Sequence, residues 1–142
     1  MVFDLISKKR LVGIVDDDVD ITNLFRDALG IINGITIFTF TDPVLALEHI
    51  TINNEKYVLV ISDLRMPGID GIELIKLKNM NPFLRTILMT AFESNELFQE
   101  YTEKQIINGF FQKPIRLDNL REEVNKEIHT YELQKQKSFI KI

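Results

Sequence analysis

Four places in this chain hold side chains that could act together in chemistry: the acidic run Asp16-Asp17-Asp18, then Asp63, Thr90 and Lys113. Each stands at the end of a short apolar or β-branched run, which is where open α/β sheets gather their ligands and reactive groups. Several carboxylates meeting in one crevice cannot all stay ionised without a cation, because like charges raise each other's pKa values. Magnesium answers that need: it takes hard oxygen ligands in an octahedron and keeps several waters, so two or three carboxylates plus a loop carbonyl suit it. Asp18 is explained by capping a helix, which leaves Asp16 and Asp17 for a metal. Lys113 can pair with a carboxylate or hold a phosphoryl oxygen as a point charge, and the Thr90 hydroxyl can hydrogen-bond one. Taken singly, a lysine before a proline is a common surface residue and a threonine closing a strand a common strand end. Together they are the equipment for phosphoryl transfer onto Asp63, in which positioning and charge neutralisation do most of the catalysis.

Periodicity supplies the elements that must hold these groups. Val58-Leu59-Val60-Ile61-Ser62-Asp63 is a continuous apolar run ending in a carboxylate and reads as the central strand of a parallel sheet, buried on both faces. Leu11–Val15 is a second such run. From Asp18 the period changes, and Ile21, Leu24, Phe25, Ala28 and Leu29 fall at helical spacing, with Gly30 or Gly34 to end the helix. Residues 35–40 alternate and are β-branched, the pattern of a more one-sided strand near the sheet edge. Thr41-Asp42-Pro43 supplies a cap and a proline at the first helical position, with Leu47 and Ile50 inward. Asp70-Gly71-Ile72-Glu73 resembles a capping box and opens a third helix, with Ile72, Leu74 and Ile75, to about Met80, where Asn81-Pro82 stops it.

Residues 86–91 read as the fourth strand, and Ser94, Leu97, Phe98 and Tyr101 as a fourth helix. Residues 109–112 form a short fifth strand, and Leu117, Leu120, Val124, Ile128 and Tyr131 mark a last helix reaching Lys135 or beyond. Five alternations of strand and helix imply a doubly wound, flavodoxin-like α/β fold with helices on both faces of a parallel sheet. A common order for such a sheet is 2-1-3-4-5, with the site where strands one and three part.

Composition narrows the function. At 142 residues and 45% hydrophobic the chain fits one domain with a sizeable core. Its formal charge of −4 disfavours bulk attraction to nucleic acid or anionic membrane, which leaves protein partners. There is no cysteine, so thiol catalysis, disulfides and thiolate zinc sites are excluded, and His49 and His129 lie far apart in the chain. The start, Met1–Ile6, is too short and too acidic for a secretory signal, and no apolar run reaches the ~18 residues of a membrane span. A soluble, cytoplasmic protein is expected.

The acidic pair, the run Ser62-Asp63-Leu64-Arg65-Met66-Pro67-Gly68-Ile69-Asp70-Gly71, Thr90-Ala91 and Lys113-Pro114, in this order and at these intervals, resemble the receiver domain of two-component response regulators. The resemblance covers residues 10–132, with 1–9 as a lead and 133–142 as a helix extension or tail. It implies that Asp63 is the phosphoacceptor for a sensor histidine kinase or phosphotransfer protein. It also implies that Asp17 binds Mg2+ directly and Asp16 mainly through water, with Asp63 and the Arg65 carbonyl as further ligands. Thr90 and Lys113 would contact the phosphoryl oxygens, the Lys113-Pro114 peptide would be cis, and Phe110 matches the switch aromatic, although it reads equally well as plain core. Phosphorylation in such a domain draws the threonine inward, lets the aromatic turn, and changes the face of the fourth helix, fifth strand and fifth helix, which partners or a second copy read. The only catalysis implied is the domain's own phosphorylation and dephosphorylation.

Three features depart from the family's common pattern. Gln105-Ile106-Ile107 replaces the usual small residue and glycine at the end of the fourth helix. Arg65 and Phe92 occupy positions that tune hydrolysis of the phosphoryl group, and bulky Phe92 is expected to hinder the attacking water. The residues after Glu132 run past the usual domain as a helix end or a docking segment, and no second domain for DNA binding or catalysis follows, which suggests a stand-alone or isolated receiver. A phosphorylation-independent interaction module of the same fold is the alternative. A flavin carrier lacks its phosphate-cradling loop here, and an aspartate-nucleophile phosphatase lacks a second carboxylate where Arg65 stands.

Overall fold

A computed structural model describes residues 10–64, 73, 76–91, 99, 103 and 107–140, with side chains to residue 138. The lead 1–9, most of the third and fourth helices expected from the sequence, and the positions of Arg65, Phe92 and Gln105-Ile106 lie outside the described residues.

The strands are β1 (Leu11–Val15), β2 (Thr36–Phe40), β3 (Tyr57–Asp63), β4 (Arg85–Thr90) and β5 (Gly109–Gln112). They pair in parallel as one sheet in the order β2-β1-β3-β4-β5, as the alternation of elements predicts. Between them run α1 (Val19–Leu29), α2 (Pro43–Ile52), a 3-10 turn (Lys76–Asn79) and the long α3 (Leu117–Ile140). β1, β3 and β4 are buried almost throughout because helices cover both faces, whereas β2, at the edge, is half-exposed.

One apolar layer joins Phe25 and Leu29 of α1 and Leu120, Val124 and Tyr131 of α3 to Val12, Ile14, Ile61 and Met89 of the sheet. The opposite layer packs Ala46 and Ile50 of α2 and Leu77 of the 3-10 turn against Val15, Tyr57 and Val60. The β1–β3 register slips by one residue, from Leu11↔Tyr57 to Val12↔Leu59. The slip leaves Val58 without a partner in β1, and Val58 and Leu59 both join the first layer despite being neighbours. Gly13 answers a close approach: a Cβ there would lie 3.1 Å from the Tyr57 ring.

The caps are those the sequence predicts. The Asp18 carboxylate accepts from the backbone N–H groups of Asp20 and Ile21, and Asp42 caps α2 ahead of Pro43 at the start of that helix. Leu24 corrects the inward stripe assigned to α1, being 47% exposed while Thr22 is buried in its stead. The helix presents more residues at apolar spacing than the sheet can cover. The third predicted helix closes as the 3-10 turn, whose Leu77 carbonyl accepts from Met80 and Asn81 before Pro82.

Candidate phosphoryl-transfer site

β1 and β3 both end at the crevice between them, and each delivers a carboxylate there. The β1 backbone continues one residue past the strand, where Asp16 N–H donates to the Phe40 carbonyl at 3.0 Å. This holds Asp16 in the sheet and turns its side chain into the crevice, fully buried. Its Oδ1 accepts from the Asp18 backbone N–H at 3.0 Å, a turn that passes the chain from strand to helix cap. Asp17, between them, is exposed. Asp63 closes β3 with its side chain 13% exposed, open enough to be reached.

Lys113 joins the two carboxylates from across the sheet. Its Nζ donates to Asp16 Oδ2 at 2.6 Å and to Asp63 Oδ2 at 3.1 Å. The lysine is placed by its own backbone, whose N–H donates to the Thr90 carbonyl at 2.7 Å, and is followed by a cis peptide to Pro114. Thr90 therefore stands on the same rim, almost wholly buried at the end of β4. Phe110 is half-buried in β5 beside Leu88. The structure thus brings Asp16, Asp17, Asp63, Thr90 and Lys113 to one rim, with Phe110 on the strand leading to it.

Burial raises the Asp16 carboxyl above its ordinary range, although the Lys113 ammonium and the Asp18 N–H pull it down. Burial alone would lower Lys113, but its bonds to Asp16 and Asp63 outweigh it and hold the ammonium above its usual value. One carboxylate oxygen each from Asp16, Asp17 and Asp63 can be chosen so that all lie within 4.8 Å of one another. That donor set is all hard oxygen, among the described residues a single ammonium underneutralises it, and it fits a divalent cation of the magnesium type.

A polar cluster at the other end of the sheet, built on Arg85, Glu123 and Glu127, went unread in the sequence. Glu123 and Glu127 sit one turn apart on the apolar stripe of α3, a signal that could have found them.

The profile of the response regulator receiver domain matches residues 12–125. Over 114 residues the chain is 33% identical to sporulation initiation phosphotransferase F of Bacillus subtilis, an alignment covering 80% of this chain and 89% of that protein. It is 31% identical over 130 residues to the DNA-binding transcriptional regulator NtrC of Escherichia coli, covering 91% of this chain but 27% of the relative. The solved receiver domain of Francisella response regulator 1452 superposes with a TM-score of 0.71 at 30% identity, covering 84% of this chain and 97% of the other. A receiver domain protein of Clostridium thermocellum gives 0.77 at 21%, a likeness of fold, over 88% and 98%. The chain belongs to the response regulator receiver family of two-component systems. No helix among the described residues is long and apolar enough to cross a membrane.

Proposed function

We propose that this chain is a phosphoacceptor of a two-component system, taking a phosphoryl group onto Asp63 from the phosphohistidine of a sensor kinase or phosphotransfer protein. The observation that carries the reading is the Lys113 ammonium bonded at once to Asp16 and Asp63 across the crevice. An Asp63 carboxylate oxygen attacks phosphorus, the new O–P bond forms as the P–N bond breaks, and the imidazole leaves with the electron pair and takes up a proton. Positive charge near the transferring oxygens is the main catalytic requirement of such a step. Lys113 supplies one such charge and exchanges carboxylate contacts for phosphoryl oxygens as they arrive. Thr90, on the same rim, offers a hydroxyl to another of those oxygens.

Asp16, Asp17 and Asp63, with the Arg65 carbonyl, would hold Mg2+. When bound, it neutralises charge on the phosphoryl oxygens and on the clustered carboxylates. The switch then runs from Thr90 to Phe110 and on to the face of the fourth helix, β5 and α3, which a downstream protein or a second copy reads. Residues 10–132 form the receiver in this reading, residues 133–140 extend its last helix, and the chain works in the cytoplasm, where its kinase presents phosphohistidine.

Intact mass after incubation with acetyl phosphate, with and without magnesium, tests this beside Asp63→Asn. A magnesium-dependent gain of one phosphoryl group, absent from the variant, is expected. No gain, together with no binding of the beryllium fluoride mimic, overturns it in favour of an interaction module that leaves Asp63 chemically unused.

A further inference from the structure

At the amino ends of β4 and β5, remote from the crevice, a second set of charged side chains gathers under α3 around the buried Glu127. Arg85 opens β4, and its guanidinium donates to Glu127 Oε1 from Nε at 2.8 Å and lies 2.7 Å away through Nη2. Glu127 is fully buried, and its second oxygen, Oε2, finds no hydrogen-bond donor among the described residues. A buried acceptor left without a donor is destabilising, so a partner for it is to be sought among its neighbours. Glu123 lies one helical turn earlier on the same face of α3. Its Oε1 rests against Gly109 of β5, where an added Cβ would come within 2.8 Å of it and the Glu123 carboxyl would have to shift. A protonated carboxyl is a donor, and an ionised one is not.

We propose that Glu123 and Glu127 share one proton, Glu123 donating to Glu127 Oε2, and that with Arg85 the pair forms a proton-sensitive latch holding α3 to the amino ends of β4 and β5. The proton stays because burial first, and then the Glu127 carboxylate, push the Glu123 carboxyl up to about 7. Among the described residues, the charged groups that face the pair are Lys126 from α3, 4.0 Å from Glu123 Oε2, Arg85 from β4, and Lys78 from the 3-10 turn. Gly109 touches Glu123 and brings no charge. Asn108 Oδ1 accepts from Lys78 Nζ and from the Thr86 N–H. Lys78 is pulled down to about 8, by burial first and then by Arg85, so its titration lies above that of Glu123.

The sign follows from linkage. The native chain keeps on Glu123 a proton that the unfolded chain releases, so the latch contributes fully below the ordinary value of 4.5 and is lost as the pH climbs through about 7. The test is a carboxyl-carbon NMR titration of the full chain, with Tm against pH for wild type and Glu123→Gln. The glutamine amide keeps a donor for Glu127 at every pH. A Glu123 midpoint near 7 is expected, and wild type should lose Tm relative to the variant between about pH 5 and about pH 7.5. His49 and His129 are common to both proteins and cancel in that difference. A Glu123 midpoint in the ordinary carboxylate range overturns the latch, as does a Tm difference that stays constant across the window. Should the variant not fold, the wild-type titration decides alone.

Discussion

At the carboxyl ends of the strands one ammonium, Lys113, faces the carboxylates of Asp16, Asp17 and Asp63, while at the amino ends Arg85 and Lys78 accompany Glu123 and Glu127. Both clusters mix acids with bases beside the same sheet. They differ chiefly in charge balance. The first keeps surplus negative charge at a partly open crevice, with Asp17 exposed and Asp63 within reach. The second is nearly neutral, lies under α3 with Glu127 fully buried and the Glu123 side chain 23% exposed, and is short, among the described residues, of one proton donor rather than of a cation. Surplus charge at an open rim is useful where a cation and a phosphoryl group must come and go. Near-neutrality around a buried carboxylate suits holding two elements together.

The largest effect that would sharpen this contrast is on chemistry. Lys113→Ala should slow phosphorylation from acetyl phosphate by about 10²-fold or more, read by intact mass over time, because a preorganised positive charge is lost from the transferring oxygens. Because it also takes the ammonium from buried Asp16, the same variant should lose stability in urea, but less than Glu127→Ala, since exposed Asp17 leaves the rim open to water and cations. An equal fall would mean that the rim is structural after all.

Glu127→Ala should do the reverse. It strands Arg85 beneath α3 and should cost about 3–5 kcal/mol of stability in urea unfolding, with phosphorylation of the folded fraction retained. Third in size is Asp16→Asn. Its folded-state carboxyl is raised by burial, so the charged form is disfavoured by folding, and the variant should gain stability at neutral pH without metal. The stabilisation that added magnesium gives the wild type should be lost from it, as thermal melts with and without the ion would show. The smallest effect belongs to a pair in neither cluster. Arg10 and Glu132 are each about a third exposed, and Arg10→Ala should cost about 0–1 kcal/mol. A cost as large as that of Glu127→Ala would erase the distinction between open and closed pairs.

The sequence was most legible where a local pattern carries its own cause. Continuous apolar runs mark strands covered on both faces, and β1, β3 and β4 are such strands. Asp18 and Asp42 cap their helices because a short acidic side chain before a helical period has few better uses. Leu24 misled because periodicity gives an apolar stripe its direction but not its width, and only the neighbouring elements decide how much of it is covered. The slip opposite Val58 was likewise unreadable, since a one-residue bulge leaves no mark on an apolar run.

Residue type and order alone determined the alternating α/β plan, the strand order and the set Asp16, Asp17, Asp63, Thr90 and Lys113, because strand ends in a parallel sheet must share a rim. Tertiary structure alone decided that Lys113 reaches both carboxylates at once, and that Glu127 turns inward to meet Arg85. Those pairings span 97, 50 and 42 positions of the chain. No local pattern encodes a distance between side chains brought together only when the sheet closes and the last helix packs across it.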